Sequence, residues 1–354
     1  MKQFCFAIVL VGVLGGCAGA EVPSGGGPGA GGNAGQAGAS SGAGGVSVGG
    51  MVGSMPLAGM GGALGGAGMS GGGGAGGGGV GGVGGDGPDT SMKPSTGCTK
   101  PANQALEEWV KHTVMAQDPE SMALLNREYF VRLPANYNPA NPYRLMFVFP
   151  GCGGKGDGAV PLFNAPGADA IVVGGSPAPG ENCMVYEANS KDVMFFDAML
   201  KVVQESFCVD QNRMFTSGFS SGSWFSNVLG CQRSNILRAQ GNISGCWPDD
   251  GRLDPAVEAG MPSTVCEKRN IAGIFIHDAS DGTNTLECGI MARNRLLLHN
   301  GCTMETRPVE PDPCVEYQGC KSGYPVIWCQ TDGTGHSRQD GLTIPAIYNF
   351  FAQF

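Results

Sequence analysis

The stretch Arg213-Met214-Phe215-Thr216-Ser217-Gly218-Phe219-Ser220-Ser221-Gly222-Ser223-Trp224-Phe225-Ser226-Asn227-Val228-Leu229 decides the fold. Its first five residues read as a strand and its last seven as a helix. Between them Gly218-Phe219-Ser220-Ser221-Gly222 must turn sharply. Strand, tight turn and helix around Gly-x-Ser-x-Gly is the setting that lifts a serine hydroxyl clear of a sheet end, a nucleophile elbow. Three other matches to the pattern, around Ser40, Ser47 and Ser70, lie in a glycine-saturated tract where the spacing follows from composition alone. Ser220 is therefore the candidate nucleophile.

Outward from the elbow, strands and helices alternate. Arg127-Glu128-Tyr129-Phe130-Val131-Arg132-Leu133 alternates like a half-exposed strand, and Arg144-Leu145-Met146-Phe147-Val148-Phe149 is a continuous apolar run suited to burial on both faces. Ala170-Ile171-Val172-Val173 is a further short strand, and 192–208 carries apolar residues at helical spacing. Beyond the elbow, 236–245, 271–276 and 325–329 read as strands, 286–299 and 344–354 as helices. This order predicts a mostly parallel central sheet with helices on both faces, in which sites form at the carboxyl ends of strands. Four such ends carry candidate chemistry: the loops at 150–154, 218–222, 278–284 and 331–337.

A serine hydroxyl needs a base to take its proton and a third group to orient that base. In this class of fold the chain order is serine, acid, histidine. Two histidines follow Ser220 and every plausible acid. His299, in Leu296-Leu297-Leu298-His299, has the ordinary explanation of a helix-face position. His336 lies in the loop Asp332-Gly333-Thr334-Gly335-His336-Ser337 just after a buried strand, and is the expected base. Asp281 is the expected acid, since it stands far enough into its loop to reach a histidine. Asp278 reads as a turn cap, and Asp249 with Asp250 forms a second-choice position. His112 and His277 read as structural. The backbone N–H groups of Ser221 and Cys152 are the expected oxyanion donors. Trp224, Phe225 and Trp247 read as core or as a wall for an aromatic group or a sugar, and the methionines between 194 and 199 as core.

Composition divides the chain. Residues 21–90 hold more than half of the 63 glycines, with almost no aromatic residue or charge. Such a segment buries too little apolar surface to offset its ordering entropy and is expected to be a flexible tether, assigned to 18–97. The region 98–354 has ordinary composition and the length of one sizeable domain. Met1-Lys2 and the short apolar run 6–14 read as an export signal, too short to span a bilayer. Leu14-Gly15-Gly16-Cys17 resembles a bacterial lipobox, so 1–17 is assigned as a signal with Cys17 lipidated. The alternative is an ordinary secretory signal cut near Ala18 or Ala20. Either implies export, with the membrane contacted only through a lipid anchor.

Of 14 cysteines, Cys5 leaves with the signal and Cys17 carries lipid; 14 − 2 = 12 remain, an even number that suggests up to six disulfides in an exported chain. Zinc is disfavoured, because there is no close Cys-x-x-Cys pair and none of the four histidines stands at ligand spacing with cysteines. No metal or other cofactor is expected. A net charge of −9 without a basic run disfavours nucleic acid as a partner.

With these residues placed, 127–354 resembles the secreted esterases of carbohydrate esterase family 1 type, of the α/β-hydrolase superfamily. The resemblance rests on Tyr129-Phe130-Val131-Arg132-Leu133-Pro134, Phe149-Pro150-Gly151-Cys152-Gly153-Gly154, Asp192-Val193, Cys208-Val209-Asp210 with Arg213, Gly218-Phe219-Ser220-Ser221-Gly222, Asn227-Val228-Leu229-Gly230-Cys231, 277–281, Asn300-Gly301-Cys302, and Gly319-Cys320 through to His336. It implies an α/β-hydrolase fold and a Ser220, Asp281, His336 triad, with the oxyanion loop at Gly151 and Cys152. It further implies a polysaccharide-linked or polymeric ester as substrate. Feruloyl-xylan is the favoured class, with acetylxylan and polyhydroxybutyrate as alternatives. The sequence departs from the family at Pro150-Gly151, where His-Gly is usual, and at Ser221-Gly222-Ser223, where Asn-Gly-Gly is common. Backbone donation survives both changes, whereas the shape of the acyl pocket does not follow from them. A surface-binding lipoprotein that keeps the fold without turnover is the non-enzymatic alternative.

Overall fold

The computed structural model describes residues 87–247, 266 and 269–354. The assigned signal with Cys17, most of the glycine tract with Ser40, Ser47 and Ser70, and the second-choice acids Asp249 and Asp250 lie outside the described residues.

The described strands form one sheet. In chain order they are β1 (Val110–Gln117), β2 (Leu124–Arg132), β3 (Tyr143–Phe149), β4 (Ile171–Gly175), β5 (Val209–Phe219), β6 (Ala239–Ile243), β7 (Ala272–Asp278), β8 (Thr306–Pro308), β9 (Cys314–Tyr317) and β10 (Val326–Thr331). Across the sheet they run β1-β2-β4-β3-β5-β6-β7-β10-β9-β8. Every pair from β4 to β10 is parallel, and the flanking pairs are antiparallel. This is the α/β-hydrolase arrangement expected from the pattern.

Most residues of the parallel strands are buried because helices cover both faces. Along β3, Leu145, Phe147 and Phe149 point to the face packed by α1 (Lys191–Ser206), α2 (Ser221–Gln232) and α3 (Leu286–Asn300). Met146 and Val148 point to the other face, where Ile347, Phe350 and Phe351 of α4 (Asp340–Ala352) cover the sheet. One residue of slip would exchange the two sets, so the alternation fixes register as well as burial.

Strands β1, β8 and β9 were not foreshadowed by the sequence pattern. β1 exposes Lys111, Thr113, Met115 and Gln117 along one side, and all three residues of β8 are exposed. Exposure hides β1 and β8 from an apolar pattern, and β9, only four residues long, is too short to show one. The folded region also begins before Cys98. Residues 93–97, counted with the tether on composition, are bonded to the domain: Ser95 N–H donates to Val209 O and Gly97 N–H to Gln204 O, both at 2.8 Å. Small residues suit this segment because a Cβ on Gly97 would lie 2.3 Å from Phe207 O.

All twelve cysteines expected to pair do so: Cys98–Cys208, Cys152–Cys183, Cys231–Cys266, Cys246–Cys288, Cys302–Cys320 and Cys314–Cys329. Among the described residues no cluster of ligating side chains has metal-binding form, and no helix is long and apolar enough to cross a membrane.

One buried ion pair joins the sheet to the loops above it. Arg127 of β2 and Asp192 of α1 are fully buried against each other. The Arg127 guanidinium also donates to Ser176 O at 2.9 Å and lies 4.0 Å from the Phe195 ring centre. The Asp192 carboxylate accepts the Val185 N–H at 2.6 Å. Ser176 Oγ in turn accepts the Gly156 N–H at 3.0 Å. Removing one partner strands a charge in a dry site, which costs far more than removing both. Asp192→Ala is expected to lower unfolding free energy by about 3–5 kcal/mol. Arg127→Met combined with Asp192→Leu should lose less, as urea unfolding midpoints will read. A double variant at least as unstable as the single one would refute this account.

Candidate active site

The elbow is built by close approach of three backbones. Ser220 links β5 to α2 with φ 52 and ψ −119, a strained conformation for a non-glycine residue. Its N–H donates to Ile243 O at 3.0 Å, which holds the turn against β6. A Cβ on Gly218 would lie 2.2 Å from Gly222 C, and one on Gly222 would lie 2.3 Å from Phe149 O. Both glycines of the motif are thus sterically required. The first turn of α2 rests on the end of β3, and Phe225 of that helix packs edge-on against Phe149 at 4.7 Å.

The same contact brings the 150–154 loop to Ser220. A Cβ on Gly151 would stand 3.3 Å from Ser220 Cβ, and Ser221 Oγ donates to Pro150 O at 3.3 Å. The Ser221 N–H heads α2, where a helix has no internal acceptor to offer. Within the loop, Gly153 N–H donates to Asn182 O at 2.6 Å and Gly154 N–H to Gly151 O at 3.0 Å. The Cys152–Cys183 bridge locks the same two loops together. Cys152 thus follows a residue that closely approaches Ser220, Ser221 adjoins it in the chain, and the Cys152 sulfur is held in a disulfide.

His336 reaches this point from the loop after β10. Its Nε2 is 3.0 Å from Ser220 Oγ and its Nδ1 is 2.8 Å from Asp281 Oδ2. A carboxylate only accepts, so the proton sits on Nδ1, and Nε2 is free to accept from the serine hydroxyl. The Phe219 ring packs on His336 with centres 5.0 Å apart. Asp281 is buried. Burial opposes its charge, but hydrogen bonds from His336 and from the Thr283 and Asn284 N–H groups outweigh it and hold its carboxyl below the usual range. The three residues chosen from spacing stand in one hydrogen-bonded line.

Asp278 does more than cap a turn. It accepts from Ser280 N–H at 2.9 Å, but also from Thr331 Oγ1 at 2.8 Å, Thr334 Oγ1 at 2.6 Å, Thr334 N–H at 3.1 Å and Gly335 N–H at 3.0 Å. It thereby ties the acid loop to the histidine loop. Sequence reasoning overlooked this role; the two threonines flanking the histidine loop were the available signal. The other singled-out residues lie elsewhere. His112 bonds Gln104 at 2.8 Å and stacks on Tyr129, while His299 meets Arg269 O at 3.1 Å. Phe225 and Met199 are core, Met194 is packed at its margin, Trp224 pairs with Tyr186 at 4.7 Å, and Trp247 lies beneath Arg295.

No family model matches the chain. Among curated relatives, the chain is 30% identical over 284 residues to feruloyl esterase D of Neurospora crassa, covering 74% of this chain and 91% of that protein. It is 33% identical over 229 residues to feruloyl esterase C of Emericella nidulans, covering 59% of this chain and 76% of that protein. Among solved structures, an acetyl xylan esterase from Aspergillus awamori superposes with a TM-score of 0.53 at 16% identity, covering 69% of this chain and 99% of that one, a likeness of fold.

The Asp278 carboxyl is driven well below the usual range: burial opposes its charge, and the bonds from Ser280, Thr334 and Thr331 overcome that opposition. A carboxyl depressed in the folded state adds stability above its unfolded pKa and loses it as pH falls through the folded one. Asp278→Asn should therefore lower the thermal midpoint near neutrality, and its further loss below about pH 4 should be smaller than that of the wild type. Thermal unfolding followed by circular dichroism across that range checks this; parallel curves for the two proteins would refute it.

Proposed function

The chain belongs to the feruloyl esterase family and is a carboxylic ester hydrolase; on that footing we propose that it cleaves feruloyl esters of plant cell-wall xylan through Ser220, His336 and Asp281. The observation that carries the reading is the line Ser220 Oγ, His336 Nε2, His336 Nδ1, Asp281 Oδ2, with both separations at hydrogen-bond length.

In this reading Ser220 Oγ attacks the ester carbonyl carbon while its proton passes to His336 Nε2. Asp281 stabilises the imidazolium that results and keeps the ring oriented. The carbonyl oxygen becomes an oxyanion between the N–H groups of Cys152 and Ser221, donors fixed before reaction by the disulfide and by the helix start. Collapse expels the sugar alkoxide, which takes the proton from His336. Water, deprotonated by His336, then attacks the acyl-enzyme; acid and free Ser220 are regenerated. The chemistry requires no cofactor.

Six disulfides support an oxidising compartment and so export. We extend the proposal to Cys17 as the lipidated end of a tether that holds the 98–354 domain away from the cell envelope. The feruloyl class rests on the names of the curated relatives.

The wild type is expected to release ferulate from methyl and arabinosyl ferulate and to be labelled by a fluorophosphonate. Ser220→Ala should abolish labelling and lower kcat by at least about 10⁴-fold. Labelling that persists in the variant would remove Ser220 from its role. Clearing of a polyester emulsion without ferulate release would replace the substrate class.

A further inference from the structure

His277 reads from sequence as a structural histidine, and its surroundings give it a more definite task. It is the penultimate residue of β7, buried, with its ring parallel to that of Trp328 at 6.3 Å. Trp328 in turn carries the Arg293 guanidinium 4.8 Å from its ring centre. His277 Nε2 lies 2.8 Å from Asn284 O. A carbonyl oxygen only accepts, so Nε2 bears the proton. That same Nε2 is 3.7 Å from Asp281 Oδ2, the oxygen that faces His336.

The fold makes room for this ring at a cost. Residue 289, inside α3, is glycine, which is unfavourable in a helix interior. A Cβ there would fall 2.4 Å from His277 Nδ1 and 2.8 Å from its Cγ. The acid loop is consequently gripped at both ends. Asp278 binds it to the histidine loop, and at the far end Asn284 O meets His277 while Asn284 Nδ2 donates to Ser244 O at 2.6 Å. Asp281 Oδ1 is occupied by the Thr283 and Asn284 N–H groups, both at 2.9 Å. Oδ2 is left between two imidazoles, one at hydrogen-bond distance and one presenting an N–H just beyond it.

We propose that His277 is a positioning residue: its Nε2–H holds Asn284 and faces Asp281 Oδ2, so that this oxygen stays aimed at His336. The proposal rests on the reading of Asp281 as the acid of the site. His277 touches neither Ser220 nor any group placed to contact substrate. Its loss should therefore disturb the orientation of His336 and leave ground-state binding alone, the pattern of a turnover effect.

The test uses the full chain with methyl ferulate. His277→Phe fills the cavity without a donor and should lower kcat about 10- to 100-fold, the size of effect a displaced catalytic group brings, with KM nearly unchanged. His277→Gln, whose amide can donate to Asn284 O, should restore most of the lost turnover. Gly289→Ala keeps the histidine but displaces its ring and should resemble His277→Phe. A downfield His336 Nδ1–H resonance is expected in the proton NMR spectrum of the wild type, and it should be lost or shifted in His277→Phe and retained in His277→Gln. Unchanged kcat in folded His277→Phe overturns the proposal, as does a glutamine variant no better than phenylalanine. If His277→Phe fails to fold, a Gly289→Ala variant as active as the wild type overturns it. A wild type without ester hydrolysis would count against the esterase reading instead, and the NMR signal would still decide the role of His277.

Discussion

The first turn of α2 sits on the end of β3 with no side chain between them, and the site depends on that contact. Gly222 touches Phe149 O, and Gly218 of β5 touches Gly222, so β5, α2 and the 150–154 loop share one backbone junction. Ser220 is forced into its positive-φ turn because β5 must end and α2 must begin within a single residue. Strain at that residue is sustained by the Ser220 N–H bond to Ile243 O and by the packing of Phe149 on Phe225. The Ser220 hydroxyl and the N–H of Ser221 thus come from the same turn.

Around that junction, supports arrive from distant parts of the chain. The Cys152–Cys183 bridge ties the 150–154 loop to a segment whose Val185 N–H is held by Asp192, the partner of Arg127. The buried pair therefore reaches the 150–154 loop through two links. On the opposite side, Asp278 gathers Ser280, Thr331, Thr334 and Gly335 and sets the span between β7 and β10. Both devices place a carboxylate where it is fully hydrogen-bonded, which is the condition under which a buried charge organises structure instead of disrupting it. The line Ser220, His336, Asp281 lies between these two carboxylate-centred supports.

Much of this was legible in the chain. Strands β3, β4, β7 and β10 carry short apolar runs because helices cover both faces, and the four strand ends with candidate chemistry do converge. Ser220, Asp281 and His336 followed from chain order and loop position. Three kinds of feature escaped. Strand β1 is exposed along one side, and β8 and β9, three and four residues long, are too short for a pattern. Residues 93–97 look like tether in composition, yet their N–H groups find acceptors at Val209, Gln204 and Asp210. The carboxylates of Asp278 and Asp192 act largely through partners far along the chain, Thr331, Thr334 and Gly335 for the first and Arg127 for the second.

Composition and spacing by themselves determined the division into glycine tract and domain, the layered α/β class, the even set of cysteines and the identity of the three aligned residues. These properties depend on local pattern: burial periodicity, glycine at a tight turn, and order along the chain. Tertiary structure alone decided which cysteines pair and that Asp278 binds the histidine loop. It also decided that His277 stands at the back of Asp281, with Gly289 leaving space for its ring. Each of those is a meeting of side chains and backbone brought together by parallel strand order. A histidine at the end of a buried strand looks structural until the helix and loop packed around it are in view.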